Sequence, residues 1–513
     1  MNHTHSFSVF NSLRGKHLFV TGATGFLGKV TIEKLLREVP EVGSIRVLIR
    51  GTKSADVTTR FYKDMLETEL FDTLKSQLGN QFESFISEKL IPVDGSLCDD
   101  YFGLCDETFS DLASSIDLII NSAASVNFRE PLDQALSINT LSLHNISALA
   151  REGGKKGSSL PVVHISTCYV NGYQEGVIRE EIHSPVSGLL TPLSENTYQI
   201  SGLLDEMADK IKQIKGMGLD KRDERNRLTD LGIGIARQYG WNDTYTFTKW
   251  LGEQVLLQDL QQQNITIMRP SIIESAVHFP RPGWIEGIKV ADAMIYAYGK
   301  SRLSVFPGKK DGILDIIPVD LVANATVLAL AESASIAKGV RVYQCCSGKT
   351  NPLKLSGFVQ LMHEEAKENY HQYPKLFPKR PAKFHIVSVQ NLRFYMDLLT
   401  KMSNLKMSVA NLLGIKVRNS VLRKLATTTE MAIIYGFYAA PKYRFDSSKL
   451  EQLCTYLSPQ ERELFTVRAD SYQWHHYIKK VHLPGLHRYG LKKKISKSSV
   501  VSVQEPQATY KVA

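Results

Sequence analysis

Tyr245 and Lys249 stand four residues apart in YTFTK, at the start of a helical pattern, so both side chains fall on one helix face. A phenol is a poor acid near neutrality, and an ammonium beside it stabilises the phenolate and draws its pKa down. Such a pair can polarise a carbonyl oxygen, or hand it a proton, as hydride reaches the carbon. The spacing alone is common by chance. It gains weight from two other features: the hydroxyls Ser166 and Thr167 close a β-like run in HISTCYVNG, and the glycine-rich TGATGFLG, Thr21 to Gly28, joins a β-like run to a helical one.

In that loop Gly22 permits a tight turn, Gly25 lets backbone N–H groups approach a pyrophosphate, and Gly28 lets helix and strand pack closely. Thr21, Thr24, Phe26 and Leu27 complete the cradle, and the helix that starts there offers unpaired donors to an anion. The spacing is G-x-x-G-x-x-G, and its context, strand before and helix after, marks a dinucleotide site. The second β-like run ends in Arg50, followed by Gly51 and Lys53, with no carboxylate before Asp56. A guanidinium suits a 2′-phosphate, whereas a carboxylate would grip a free 2′-hydroxyl, so the expected cofactor is NADPH. Arg60 is a second candidate for the same phosphate.

These groups need a scaffold. Short Val/Ile/Leu-rich runs at 16–21, 45–50, 90–95, 117–123, 160–166 and 265–270 alternate with helical patterns such as 27–39. That alternation predicts an α/β fold with a Rossmann-type doubly wound parallel sheet. Residues 1–14 read as an N-terminal extension and 15–350 as the NADPH-binding reductase domain. Within it, 173–244 forms an insertion that is either a substrate lid or a surface decoration. Helical patterns at 356–370, 388–400, 419–437 and 447–457 predict a mostly helical domain over 351–490, and 491–513 reads as a basic disordered tail.

Composition narrows the class. Hydrophobic residues at 43% and charged residues at 22% are ordinary for a soluble enzyme. The net charge is +10, to which Lys492, Lys493, Lys494 and Lys497 contribute, and no nucleic-acid motif accompanies it. The six cysteines have neither metal-binding nor disulfide-scaffold spacing, so free thiols and no metal are expected. No signal peptide and no run near ~18 apolar residues is present, which predicts a cytoplasmic protein with, at most, contact to a membrane surface.

Residues 15–330 resemble the extended short-chain dehydrogenase/reductases, with T-G-x-x-G-F-L-G, a hydroxyl at the fifth strand end and Y-x-x-x-K. The resemblance puts the catalytic hydroxyl on Thr167, with Ser166 the alternative, beside Tyr245 and Lys249. It places Asn139 near the lysine through water, and Ala123 and the backbone after Pro270 near the cofactor. NSAASVNF (121–128), RPSIIESA (269–276), GWIEG (283–287), IPVDLVAN (317–324) and YGFYAAPKYRFD (435–446) are similar to the alcohol-forming fatty acyl-CoA reductases, the bacterial members above all. One departure is Ser96, where that family usually has Asp near the adenine. The resemblance implies reduction of a long-chain acyl-CoA through a fatty aldehyde to a primary alcohol. A thioester reductase stopping at aldehyde, and a nonreactive NADP-binding sensor, are the alternatives.

Overall fold

The computed structural model describes residues 7–52, 55–154, 159–300, 305–335, 339–412 and 434–491. Lys53, most of the helical pattern at 419–437 and the basic tail beyond residue 491 lie outside the described residues.

Seven strands form one parallel sheet: β1 Leu18–Thr21, β2 Ile45–Ile49, β3 Leu90–Asp94, β4 Leu118–Asn121, β5 Val162–Ile165, β6 Ile265–Pro270 and β7 Val340–Cys345. Their spatial order is β7-β6-β5-β4-β1-β2-β3, the doubly wound order in which the winding reverses between β1 and β4. Central strands β1, β4, β5 and β6 are buried at every position, so both faces need helices and the strands are mostly apolar, with buried His164 and Arg269 as the charged or titratable exceptions. β7 extends the six expected strands. Its VRVYQC falls beyond the last run singled out in the sequence, at 265–270, and is still within the 15–350 domain.

A sheet of this order opens a crevice at the carboxyl ends of β1 and β4. Helix Phe26–Glu38 begins beside it, and helix Thr244–Asp259 crosses behind β5. The N-terminal stretch is part of the core: Val9 and Leu13, in helix Val9–Leu13, are fully buried against helix Val319–Ser335. The C-terminal region is likewise woven into the reductase fold. Strand Tyr443–Phe445 pairs with Gly176–Ile178, and His385–Val387 pairs with Val305–Pro307.

Within 173–244, helices Ser201–Lys215 and Lys221–Tyr239 pack on each other and on helix Leu132–Leu136. Among the described residues, no helix is long and apolar enough to cross a membrane.

Candidate active site

The crevice holds a cavity of about 550 Å³, within the usual range for small-molecule sites. Gly22, Gly25, Phe26, Leu27 and Gly28 line one end, and Ser166, Thr167, Tyr245, Lys249 and Pro270 line the middle. Local geometry explains the glycines. Gly22 has φ +72°, and a Cβ there would sit 2.6 Å from the Ala123 nitrogen; a Cβ on Gly28 would strike the Gly22 carbonyl oxygen. Gly25 caps helix Phe26–Glu38 with no side-chain hydrogen bond, leaving the first N–H groups open toward the cavity. This cradle fits a pyrophosphate. Thr21 is buried and donates to Asn121 Oδ1 at 2.5 Å, holding β1 to β4, while Thr24 is half-buried outside the lining.

Arg50 and Arg60 meet at the end of β2. Arg60 donates from Nη1 to the Arg50 carbonyl at 2.5 Å and pairs with Asp64 at 3.0 Å, and the Arg50 side chain is exposed. The two lie outside the cavity lining, where the adenosine end of a dinucleotide would leave the cleft.

Asp243 sets the start of the catalytic helix. Its carboxylate accepts from Thr246 N at 3.0 Å, as an N-cap, and from Asn242 at 3.3 Å. One helical turn later Lys249 Nζ donates to the Ile165 carbonyl at 2.6 Å and lies 3.4 Å from His164 Nε2. Burial, with the charges of Lys249 and Arg269, keeps the His164 imidazole neutral by pushing its pKa down. Burial also lowers Lys249 to about 8. Buried Arg269 grips Glu253 through two bonds of 2.9 and 2.6 Å, locking β6 to the same helix.

The expectation of a depressed Tyr245 pKa is overturned. Burial raises it first, the Asp243 carboxylate adds to that, and a hydrogen bond with Thr167 only partly offsets them. Lys249 is turned toward the end of β5, so the phenol stays protonated and is suited to donate. Thr167 also lies 3.5 Å from the Pro270 carbonyl, while the Ser166 hydroxyl is buried in the cavity wall without a hydrogen-bond partner.

Asn139 is not a surface residue, and its side-chain amide is engaged directly by groups other than the lysine. It is 1% exposed, in the π-helical turn Ser137–Leu141, and its amide bonds Ser125 N, Ser125 O and Thr248 Oγ1. Its carbonyl abuts Gly252, where a Cβ would collide, so it docks the catalytic helix and shapes the 121–128 loop.

Other walls were missed by sequence reasoning. Phe128 meets Tyr245, Tyr435 and Tyr438 at ring distances of 5.6, 5.8 and 5.3 Å, and Tyr169 meets Tyr438 at 4.8 Å. With Ile272, Ile273, Ile288 and Val290 they make the far end apolar. No residue of 173–244 is among the described lining residues; the wall over Tyr245 comes from Val126–Phe128 and from the C-terminal region. Lys309 and Lys310 are exposed and are also outside the lining.

A parallel sheet of this order, with a glycine cradle at the switch point and a Tyr–Lys helix behind β5, defines the short-chain dehydrogenase/reductase class of NAD(P)-dependent oxidoreductases. Residues 20–326 match the NAD-binding family described as Male sterility protein, and 394–493 match the Sterile family of the same description. Fatty acyl-CoA reductase 2, chloroplastic, of Arabidopsis thaliana is 35% identical over 499 residues, covering 94% of this chain and 80% of that protein. The alcohol-forming fatty acyl-CoA reductase of Simmondsia chinensis is 31% identical, covering 93% and 98%. Among solved structures, the terminal R domain of the myxalamid PKS-NRPS pathway shares the fold, with a TM-score of 0.55 at 18% identity, covering 93% of this chain and 92% of that one. The chain belongs to the fatty acyl-CoA reductase family.

Proposed function

We propose that the protein reduces long-chain fatty acyl-CoA to a primary fatty alcohol, through a fatty aldehyde, with NADPH as the reductant. The observation that carries this reading is the position of the Tyr245 and Thr167 hydroxyls, midway between the glycine cradle and an apolar, aromatic-walled chamber suited to an alkyl chain. The cradle and helix start would hold the pyrophosphate, Arg50 with Arg60 the 2′-phosphate, and the Pro270 backbone the nicotinamide amide. Bound there, the cofactor supplies hydride.

In the first reduction the thioester oxygen gathers negative charge as its carbon accepts hydride, and the Tyr245 and Thr167 hydroxyls stabilise it by donating hydrogen bonds. The tetrahedral alkoxide then collapses to the aldehyde as its C–S bond breaks, and the coenzyme A thiolate that leaves takes a proton from solvent. Once the spent cofactor is exchanged for a second NADPH, the aldehyde carbon would accept another hydride while Tyr245 passes its proton to the oxygen, and the product is the alcohol. The buried apolar part of the wall, Phe128, Tyr169, Ile272 and Tyr438, would limit the access of water to the aldehyde between the two steps.

The test is incubation of the full chain with a long-chain acyl-CoA and NADPH, with products identified by mass spectrometry. Primary alcohol with two NADPH consumed per product is expected. Accumulation of aldehyde with one NADPH consumed would mean a reductase that stops at that stage, and absence of turnover would mean a cofactor-binding protein without this activity.

A further inference from the structure

Glu274, Asp292 and His482 come together away from the catalytic hydroxyls. Glu274 ends the short strand Ile272–Glu274, Asp292 lies in the first turn of helix Val290–Gly299, and His482 ends the π-helical segment Tyr477–His482 of the C-terminal region. All three are 0–1% exposed. One atom from each, either a carboxylate oxygen or an imidazole nitrogen, lies within 4.8 Å of the other two, and His482 Nε2 is 3.0 Å from Asp292 Oδ1.

Each side chain is aimed by its other polar atom. Glu274 Oε1 accepts from Ala291 N at 3.3 Å, Asp292 Oδ2 accepts from Lys289 N at 2.8 Å, and His482 Nδ1 lies 3.0 Å from Ser275 Oγ. The atoms left over, Glu274 Oε2, Asp292 Oδ1 and His482 Nε2, are buried together, and among the described residues their only close polar neighbours are one another, as in the 3.0 Å contact of Nε2 with Oδ1. Ligands of a protein-bound metal are held in this way, by an outer shell on the atom that does not coordinate.

The contacts around Ser275 allow a tautomer suited to a metal. The single Tyr477 hydroxyl proton goes to the Ser275 carbonyl at 2.7 Å, which leaves the phenol oxygen able to accept from Ser275 Oγ at 3.2 Å. With the serine proton placed there, Ser275 Oγ accepts from His482 Nδ1–H at 3.0 Å, and a neutral imidazole presents its Nε2 lone pair to the carboxylates. Three acceptors face one another out of water, which is repulsive unless something positive lies among them. The Lys289 ammonium attracts Glu274 and Asp292 without a close ion pair to either, and Lys29 lies 2.7 Å from Glu286. A proton shared between Glu274 and Asp292 would join two of the three acceptors and leave Nε2 unmet. A cation meets all three.

We propose that Glu274, Asp292 and His482 bind a zinc-class divalent cation that staples the C-terminal segment to the wall of the active-site cavity. One imidazole and two carboxylates suit zinc or a neighbouring transition metal, whereas calcium and magnesium favour six or more oxygen ligands. The staple would anchor the strand that carries Ile272 and Ile273, and the helix that carries Val290 and Ala293, all four of which line the cavity. It departs from the metal-free expectation drawn from cysteine spacing.

The full chain, produced in zinc-supplemented medium, is assayed by elemental mass spectrometry beside His482→Ala, Glu274→Gln and Ser275→Ala. About one zinc per chain is expected in the parent. The metal should be absent from the first two variants, and Ser275→Ala should bind it roughly 10–100-fold more weakly, as loss of an outer-shell partner does. After chelation, cobalt chloride should give the visible absorption of a low-coordinate site, and zinc chloride should raise the melting temperature of the parent but not of Glu274→Gln. A parent that holds no metal and takes none from zinc chloride, with Glu274→Gln melting at or above the parent's temperature, overturns the proposal in favour of a shared proton. Equal metal in the parent and His482→Ala overturns it as well. None of these readings requires turnover, so they stand or fall apart from the acyl-CoA activity.

Discussion

The Tyr438 hydroxyl donates to the carboxylate of Asp243, joining the C-terminal region to the N-cap of the helix that carries Tyr245 and Lys249. Asp243 is fully buried and caps that helix through Thr246 N, two residues before Tyr245. Tyr438 also lines the cavity and packs on Phe128 and Tyr169. One side chain therefore forms the substrate wall and holds the helix that carries the reacting phenol.

Replacing Tyr438 by Phe keeps the ring and removes the donor. A buried carboxylate left short of a hydrogen bond costs about 1–3 kcal/mol. The variant should lose stability in that range in denaturant melts, and kcat should fall while the NADPH dissociation constant is unchanged. Parent-like stability and kcat together would mean that the contact contributes nothing.

Asp243→Asn tests the electrostatics of the same link, because Asn caps helices as well as Asp does. The Asp243 charge adds to burial in holding the Tyr245 pKa up, so removing it lowers that pKa. Aldehyde reduction needs the protonated phenol and fails as pH rises through the Tyr245 pKa. The alkaline limb of the kcat/KM profile should therefore move to lower pH in the variant. A limb that stays in place, or moves up, contradicts this account.

Local pattern made much of this legible, and long-range contact accounts for most of what was not. Six strands and the TGATGFLG cradle could be read because each is a short local run whose pattern is recognisable without knowing what it pairs with. Tyr435 and Tyr438 stood in plain view within YGFYAAPKYRFD, yet nothing local says that they close over Tyr245. Lys249, four residues after Tyr245, implied a stabilised phenolate; that its ammonium is drawn to the Ile165 carbonyl depends on where β5 ends. Glu274, Asp292 and His482 lie far apart in the chain, with no spacing that a motif would capture.

Tyr245→Phe removes the proposed proton donor without touching the glycine cradle. Turnover should fall by ~10²–10⁴, the usual effect of losing a general acid. NADPH binding, followed by fluorescence titration, should be unchanged. Turnover within about tenfold of the parent would move the proton-donor role elsewhere.

Arg50→Asp addresses cofactor choice. A charge-assisted hydrogen bond contributes about 1.5–3 kcal/mol, equivalent to roughly 10–100-fold, and a carboxylate would also repel a 2′-phosphate. The NADPH/NADH ratio of kcat/KM should drop by that factor or more. An unchanged ratio would pass the role to Arg60, which lies against the Arg50 carbonyl.

Cys168, next to Thr167, invites an acyl-enzyme mechanism, and the structure argues against it. A cysteine nucleophile needs a base or a positive neighbourhood to form thiolate. Burial instead pushes the Cys168 thiol well up, with the Asp315 and Cys345 charges adding to the effect. Its Sγ donates to the Arg269 carbonyl at 2.9 Å, away from the cavity that Thr167 lines. Neutral His164 is engaged by Asn121 at 3.0 Å and lies near Lys249, so it does not serve as the base. Cys168→Ala should therefore retain most acyl-CoA reduction and lose a modest amount of stability, about 0.5–1.5 kcal/mol for the missing hydrogen bond. Intact-mass spectra of the parent incubated with acyl-CoA, without NADPH, should show no acyl adduct. An adduct on Cys168, or a variant that still reduces aldehydes but not the thioester, would replace direct reduction with a covalent route.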